Sequence, residues 1–181
     1  MGRLTVSSST AFAHPAPRIY DFVSNPANWG KTYKGSAGLA DSHAHQGLRL
    51  PLQVGDTWTE KVCLEHNTYA PTWRLATAVR GRRFTFTQVN RVGEKEDGSG
   101  GVERAFCEID YLFEEGVGRG VTLFTRMLTI ELPKGVGMPD DLLTVCARPD
   151  GIDRYQEEVE RRLIRRLEVM SKIHEGCRWL K

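Results

Sequence analysis

The side chains most suited to chemistry in this sequence are Glu60, Arg126 and Tyr111. Each stands in an alternating segment, with apolar residues two positions before and after it. Because successive side chains of a strand point to opposite faces, all three are expected to face the interior. A carboxyl group in an apolar cleft has a raised pKa, which suits a general acid or base near neutral pH. A guanidinium or a phenol there would stabilise an oxygen on which charge develops.

Two structural alternatives stay open for these side chains. Glu60 could pair with Arg126 as an internal ion pair that only holds the fold together. A shift of one residue in the assumed alternation would instead turn the same side chains to solvent. The catalytic interpretation therefore depends on where the strands place them.

A second group of residues predicts the wall of a pocket. Aromatic rings with a few polar tips are typical of a site for a hydrophobic, partly oxygenated molecule, and equally of an ordinary core. The candidates for ligand binding are Trp58, Tyr69, Trp73, Phe86, Gln88, Phe124, Tyr155 and Val159.

A metal site is not expected. His43 and His45 lie close to Asp41 in the segment DSHAHQG, but no third or fourth ligand follows at a recognisable spacing. The sequence also lacks a nucleophile elbow, a glycine-rich phosphate loop and a Cys–His pairing, so hydrolase, kinase and nucleotide-dependent oxidoreductase functions are not expected. No cofactor is predicted.

The elements that would position these residues are mostly strands. Short helical segments are predicted over residues 18–25 and 26–30, a further helix over 140–147, and a long amphipathic helix over 150–177. The polar segment 93–101 is expected to be a flexible hairpin connection at the surface. Strands are predicted over residues 3–13, 57–65, 69–79, 84–90, 102–114 and 121–132, with strand fragments at Leu48 and Leu50.

This order predicts an α+β fold: about seven antiparallel strands, two short helices after the first strand, and a long C-terminal helix. A curved sheet wrapped around one helix leaves a cavity between them, where a small ligand binds. All 181 residues are expected to form one domain.

Three segments resemble the START-related SRPBCC superfamily, the helix-grip fold of the birch-pollen allergen. They are Ala13–Trp29 (AHPAPRIYDFVSNPANW), Pro51–Val62 (PLQVGDTWTEKV) and Gly118–Pro133 (GRGVTLFTRMLTIELP). The resemblance implies the helix-grip architecture. The segment Ser36–Gln53 departs from it, because it is longer and more polar than the connection of a minimal member, and a specialised lid over the mouth of the cavity is one interpretation. Members of this superfamily include polyketide aromatase/cyclases, lipid and hormone carriers, dioxygenase domains and co-chaperone domains, and fold alone does not choose among them.

Composition limits the partners. A net charge of +2 does not favour nucleic acid, and no apolar run approaches the length of a membrane span. A cytoplasmic protein is expected, because the N-terminus lacks a basic-then-apolar leader and the four cysteines are scattered.

The favoured function is binding of a small polyketide- or terpenoid-like metabolite and its cofactor-free cyclisation or isomerisation, a pericyclic cyclisation included. A non-catalytic carrier and a co-chaperone-type interaction domain remain as alternatives. The oligomeric state is not predicted.

Overall fold

The computed structural model describes residues 2–31, 35–41 and 48–147, with the side chains of 31 and 144–147 left aside. The predicted helix over 150–177, with its ligand-binding candidates Tyr155 and Val159, lies outside the described residues. So do His43 and His45 of the histidine segment.

Within those residues the chain forms ten strands, two α-helices and a 3-10 helix. The helices are α1 (Ala16–Val23), the 3-10 helix (Pro26–Lys31) and α2 (Asp140–Ala147). The strands are β1 (Gly2–Phe12), β2 (Ser36–Leu39), β3 (Thr57–Cys63), β4 (Thr68–Tyr69), β5 (Thr72–Val79), β6 (Arg83–Gln88), β7 (Val92–Glu94), β8 (Gly100–Val102), β9 (Phe106–Glu115) and β10 (Thr122–Leu132). Both short helices after β1 and the helix over 140–147 confirm their predictions.

The strands build one curled antiparallel sheet in the order β1-β10-β9-β6-β5-β3-β2. Strand β4 pairs with β3 beside this path, and β7 pairs with β8 in a separate two-stranded sheet. The predicted α+β class and the curved sheet of about seven strands are thus confirmed, while the long helix lies outside the described residues. Neither described α-helix is long and apolar enough to cross a membrane.

Helix α1 covers one part of the sheet's concave face. Pro15 caps the helix and Pro17 lies in its first turn, where a missing N–H has no cost. Its buried side chains follow the three-and-four spacing of one helical face. Among them, the Tyr20 ring lies 5.9 Å from that of Phe84 and 5.4 Å from that of Phe113. This part of the interior is filled by aromatic rings.

Two predicted strands differ from the structure. The second strand is Ser36–Leu39 and not the fragment at Leu48 and Leu50, so the supposed insert begins with a paired strand. That strand is irregular, because a bulge follows Ser36 and Gly38 has a φ of +93°, which favours glycine. Strand β5 has a second bulge after Leu75, which breaks the predicted alternation and leaves Val79 exposed.

The hairpin predicted over segment 93–101 is confirmed, because strands β7 and β8 pair antiparallel there. Val92 and Gly93 are buried, and the hairpin is bonded to strand β4. The Ala70 N–H donates to the Glu94 carbonyl at 3.1 Å, and the Glu96 N–H donates to the Thr68 carbonyl at 3.0 Å. These backbone bonds fix the hairpin beside the sheet.

Asp110 lies between two inward-facing residues of β9, so alternation predicts that its side chain faces solvent, yet the side chain is buried. Its carboxylate is buried on the convex face, where it accepts bonds from Arg83 Nη2 at 2.8 Å and Thr85 Oγ1 at 2.7 Å. Strand β6 pairs with β9 at this point, with Thr85 opposite Asp110. Cross-strand neighbours thus supply the cover that the strand pattern alone does not show.

Candidate functional site

A cavity opens where the concave face of the sheet is not filled by α1. It has a volume of about 80 Å³, counted as the space open to the centre of a water-sized sphere. By that measure one water needs roughly 10–15 Å³, so the cavity holds more than a few waters. The described residues of its wall are Trp29, Glu60, Val62, Tyr69, Pro71, Trp73, Phe86, Gln88, Val92, Gly93, Glu94, Cys107, Ile109, Tyr111, Arg126, Leu128, Ile130, Met138 and Leu142.

Glu60 lies on this wall because strand β3 alternates as predicted. Trp58, Glu60 and Val62 are buried, while the residues between them are more exposed. Trp73 on strand β5 donates its indole N–H to Glu60 Oε2 at 3.1 Å. The Ser36 hydroxyl on strand β2 also bonds to the carboxyl group.

The electrostatics of Glu60 favour its neutral form. Burial raises the pKa of the carboxyl group, because the charged form loses its hydration. The bonds from Ser36 and Trp73, and more weakly the charge of Arg126, act in the opposite direction, and the net shift is upward. Because its pKa is raised, this carboxyl group keeps its proton to a higher pH than an exposed one, which suits a general acid or base.

Arg126 and Tyr111 form the second polar part of the wall. They are directly opposite each other in the antiparallel pair of β10 and β9, so their side chains are neighbours on the concave face. Tyr111 is buried, with its ring centroid 5.5 Å from that of Phe86, and Arg126 is half-buried. A phenol and a guanidinium side by side can share one oxygen of a ligand.

The charge of Arg126 acts on the Glu60 carboxyl group, so the two side chains interact through space. The direct hydrogen bonds of Glu60 come from Trp73 and Ser36. The positive charge of Arg126 has the smallest of the influences on the carboxyl group. Both side chains line the cavity, where a ligand can reach them.

The predicted ligand-binding residues divide into two groups. Tyr69, Trp73, Phe86 and Gln88 lie on the cavity wall as expected. Trp58 and Phe124 are fully buried and lie outside the described wall, so their predicted contact with a ligand has no support in this geometry. Trp58 packs against Trp29, Phe84 and Phe86, and Phe124 against Phe12, Tyr111 and Phe113.

Alternation gives the face on which a side chain lies but not its position along the strand. Phe124 faces inward where aromatic side chains fill the interior, and Arg126 faces inward where the cavity opens. Trp58 Nε1 is buried without a hydrogen-bond partner within the described residues, which marks a ring enclosed by apolar neighbours. Both rings are part of the core.

Several residues of the wall have no signal in the sequence. Val92, Gly93 and Glu94 come from the hairpin, Met138 comes from the segment before α2, and Leu142 comes from α2 itself. These residues reach the cavity only through tertiary packing. The apolar residues of α2, at three-and-four spacing, are the one pattern that could have indicated a buried helical face.

Asp141 fastens this segment to the sheet. Its carboxylate accepts bonds from the Tyr69 hydroxyl at 2.7 Å and from Asn67 Nδ2 at 2.7 Å. Burial alone would raise the pKa of Asp141, but the bonds from Tyr69, Asn67 and the Leu142 N–H lower it overall. Burial and the bond to Asp141 raise the pKa of the Tyr69 phenol. The Asp141 clamp, meaning Asp141 with Tyr69 and Asn67, thus joins two parts of the chain that also line the cavity.

Metal ligation has little support in this part of the molecule. Within residues 2–31, 35–41 and 48–147, no three His, Cys, Asp or Glu side chains come together as a metal site. The scattered spacing of the four cysteines favours buried free thiols, and Cys107 is one, whereas the thiol of Cys63 is exposed.

No protein-family profile matches the sequence, and no curated protein is detectably similar to it. Solved structures are similar in fold. The Zhui aromatase/cyclase from Streptomyces sp. R1128 matches with a TM-score of 0.65 at 10% identity, over 92% of this chain and 96% of that one. A START superfamily protein from Mycobacterium smegmatis matches with a TM-score of 0.59 at 12% identity, over 91% and 99%.

A two-domain protein provides a third match. The di-domain aromatase/cyclase BexL, from the BE-7585A biosynthetic pathway, matches with a TM-score of 0.59 at 14% identity. The match covers 88% of this chain and 49% of BexL. Identities this low show the fold alone. The curled antiparallel sheet and these matches show that this protein has a START-like fold.

Proposed function

We propose that the protein binds a small, mainly hydrophobic, oxygen-bearing metabolite in this cavity and catalyses its cyclisation or isomerisation without a cofactor. The observation that carries the proposal is Glu60, a buried carboxyl group bonded to Trp73 and Ser36 on an otherwise largely apolar wall. Two of the structures with this fold are aromatase/cyclases by name, which supports a polyketide-like substrate.

The chemistry that fits these groups is an aldol-type ring closure. Glu60 in its carboxylate form would take a proton from a methylene group between two carbonyls. The resulting carbanion would attack a second carbonyl carbon of the same molecule, and a carbon–carbon bond would form. The oxygen of that carbonyl would take up negative charge beside Arg126 and then a proton, with Tyr111 as its donor.

The cavity would also lower the entropy cost of ring closure. A flexible chain enclosed by Trp73, Phe86, Ile109 and Leu128 has few extended conformations left, so its reacting carbons stay near each other. A pericyclic ring closure would use the same wall with a single hydrogen-bond donor. The apolar residues would thus hold the substrate in a folded shape, and the polar residues would transfer protons.

The test uses a linear poly-β-ketone thioester of N-acetylcysteamine, with ring-closed products measured by mass spectrometry. We expect turnover by the wild type above the spontaneous rate, and rates lower by about 10²-fold or more in Glu60→Gln. Arg126→Met and Tyr111→Phe should also lose rate. Glu114→Gln, an exposed change on β9, is the matched control and should keep the wild-type rate.

Affinity measured in the same variants separates an enzyme from a carrier. Lost turnover with retained affinity for 2-naphthol, measured by calorimetry, supports catalysis. Affinity lost in proportion, or no turnover by the wild type above the spontaneous rate, would favour a carrier instead.

A further inference from the structure

Gln88 stands at the end of β6, directly opposite Trp73 in the sheet, and lies half-buried on the cavity wall. A carboxamide carries two N–H donors and one oxygen acceptor. Which of these groups remains for a ligand decides whether the site binds a donor or an acceptor. The hydrogen bonds around Gln88 answer that question.

The neighbouring Asn90 has a fixed orientation. Its Oδ1 accepts the backbone N–H of Thr72 at 2.8 Å, and its Nδ2 donates to the backbone carbonyl of Ala70 at 3.0 Å. A backbone N–H only donates and a backbone carbonyl only accepts, so a flipped amide would lose both bonds. The Asn90 oxygen therefore faces Gln88 as an acceptor.

This arrangement fixes Gln88 in turn. Its Nε2 donates to Asn90 Oδ1 at 3.1 Å and to the Arg91 carbonyl at 2.9 Å, which uses both of its hydrogens. Its Oε1 accepts no hydrogen bond within the described part of the chain. Among the described residues, Trp58 Nε1 is the one side-chain polar atom that is both fully buried and without a hydrogen-bond partner. Gln88 Oε1 also has no partner among these residues, so it is not fully buried and borders open space. Gln88 is one of the residues that line the cavity, and we infer that this open space is the cavity.

We propose that Gln88 determines specificity, by accepting a hydrogen bond from a hydroxyl group of the ligand. The proposal rests on the proposed function, because it assumes that the cavity binds a small molecule. A phenol or alcohol at this position would be bound, whereas an ether or ketone there would place two acceptors face to face. Sites built to bind a hydroxyl group discriminate strongly against analogues that lack it, since a buried polar group is left unpaired.

Asn90 has a supporting role as a positioning residue. It does not line the described cavity, but it holds the amide of Gln88 in the accepting orientation through Oδ1. The backbone groups of Thr72 and Ala70 would thus orient the amide of Asn90, and Asn90 would orient the amide of Gln88 that selects the ligand.

A matched pair of probes tests the assignment. Calorimetric titration of the wild type with 2-naphthol and with 2-methoxynaphthalene compares a donor with an acceptor on the same ring system. We expect about tenfold tighter binding of 2-naphthol, the size of one net hydrogen bond. In Gln88→Met, a side chain of similar length without the acceptor, this ratio should fall to about one. The affinity for 2-methoxynaphthalene should be kept or improved, which shows that the variant is folded.

Each outcome is decisive. A tenfold ratio that persists in folded Gln88→Met, or equal affinities in the wild type, would overturn the role of Gln88 and leave the cavity as a ligand site. Failure of the wild type to bind either probe would overturn the ligand site and this inference together. Gln88→Leu repeats the comparison with a branched side chain if the methionine variant unfolds.

Discussion

The ionisation of Glu60 links the proposed catalysis to the stability of the fold. Its carboxyl group is buried against Trp73 and Ser36, and burial raises its pKa above that of an unfolded chain. A group with a raised folded-state pKa stabilises the protein fully below its unfolded pKa, near 4.3, and the stabilisation is lost as pH rises through the folded-state pKa. The charge that would serve catalysis therefore has a cost in stability.

Substitution by glutamine is expected to remove this pH dependence. Glu60→Gln keeps the shape and a hydrogen-bond acceptor for the Trp73 N–H but cannot ionise. The free energy of unfolding of the wild type, measured with urea from pH 4 to pH 9, should fall relative to that of the variant as pH rises. Glu114→Gln, on the exposed end of β9, is the control and should follow the wild type. Parallel curves for wild type and Glu60→Gln would contradict the burial of this carboxyl group.

At the scale of elements, the Asp141 clamp attaches helix α2 to the sheet. Helix α2 brings Leu142 to the cavity and Asp141 to Tyr69 and Asn67, so the helix and the turn between β3 and β4 are fastened at the cavity wall. Tyr69→Phe keeps the ring on the wall and removes one bond to the carboxylate. We expect the free energy of unfolding in urea to fall by about 1–2 kcal/mol, since hydrogen bonds to charged groups are stronger than neutral ones.

The clamp also predicts ligand kinetics and a pH dependence. A loosened α2 should increase the dissociation rate of 8-anilinonaphthalene-1-sulfonate, followed by stopped-flow fluorescence. The pKa of Asp141 is lowered in the folded state, so the clamp stabilises the protein above the unfolded pKa of about 3.9 and less as pH falls below it. The difference between wild type and Tyr69→Phe should therefore shrink in acid. Tyr20→Phe changes a buried tyrosine outside the described wall and should leave the dissociation rate unchanged.

The sequence predicts those structural features that depend on neighbouring residues in the chain, and misses those that depend on contacts between distant segments. Alternation in β3, β9 and β10 placed Glu60, Tyr111 and Arg126 on the concave face, because side-chain direction in a strand is a local property. The burial of Asp110 was missed, because it depends on Arg83 and Thr85 of another strand. The hairpin and α2 were missed as parts of the wall for the same reason.

At the scale of the whole molecule, the described residues surround a space that their own side chains leave open, whereas a well-packed interior would close it. Its lining groups lose contacts with neighbours, so a molecule that fills the space should stabilise the folded state. Binding to the folded state alone adds RT ln(1 + [L]/Kd), about 2.7 kcal/mol at a ligand concentration of 100 Kd. For a chain of this size that corresponds to a rise in Tm of roughly 5–10 °C.

Thermal unfolding with increasing 2-naphthol should show this rise and a continued dependence on ligand concentration. Ile109→Trp, which places a large ring in the cavity from the middle of β9, should remove the dependence on ligand. The variant should itself unfold cooperatively, because the added ring occupies space that was open. If Tm increases equally in Ile109→Trp, the probe binds elsewhere on the surface, and the cavity is not the site that links ligand to stability.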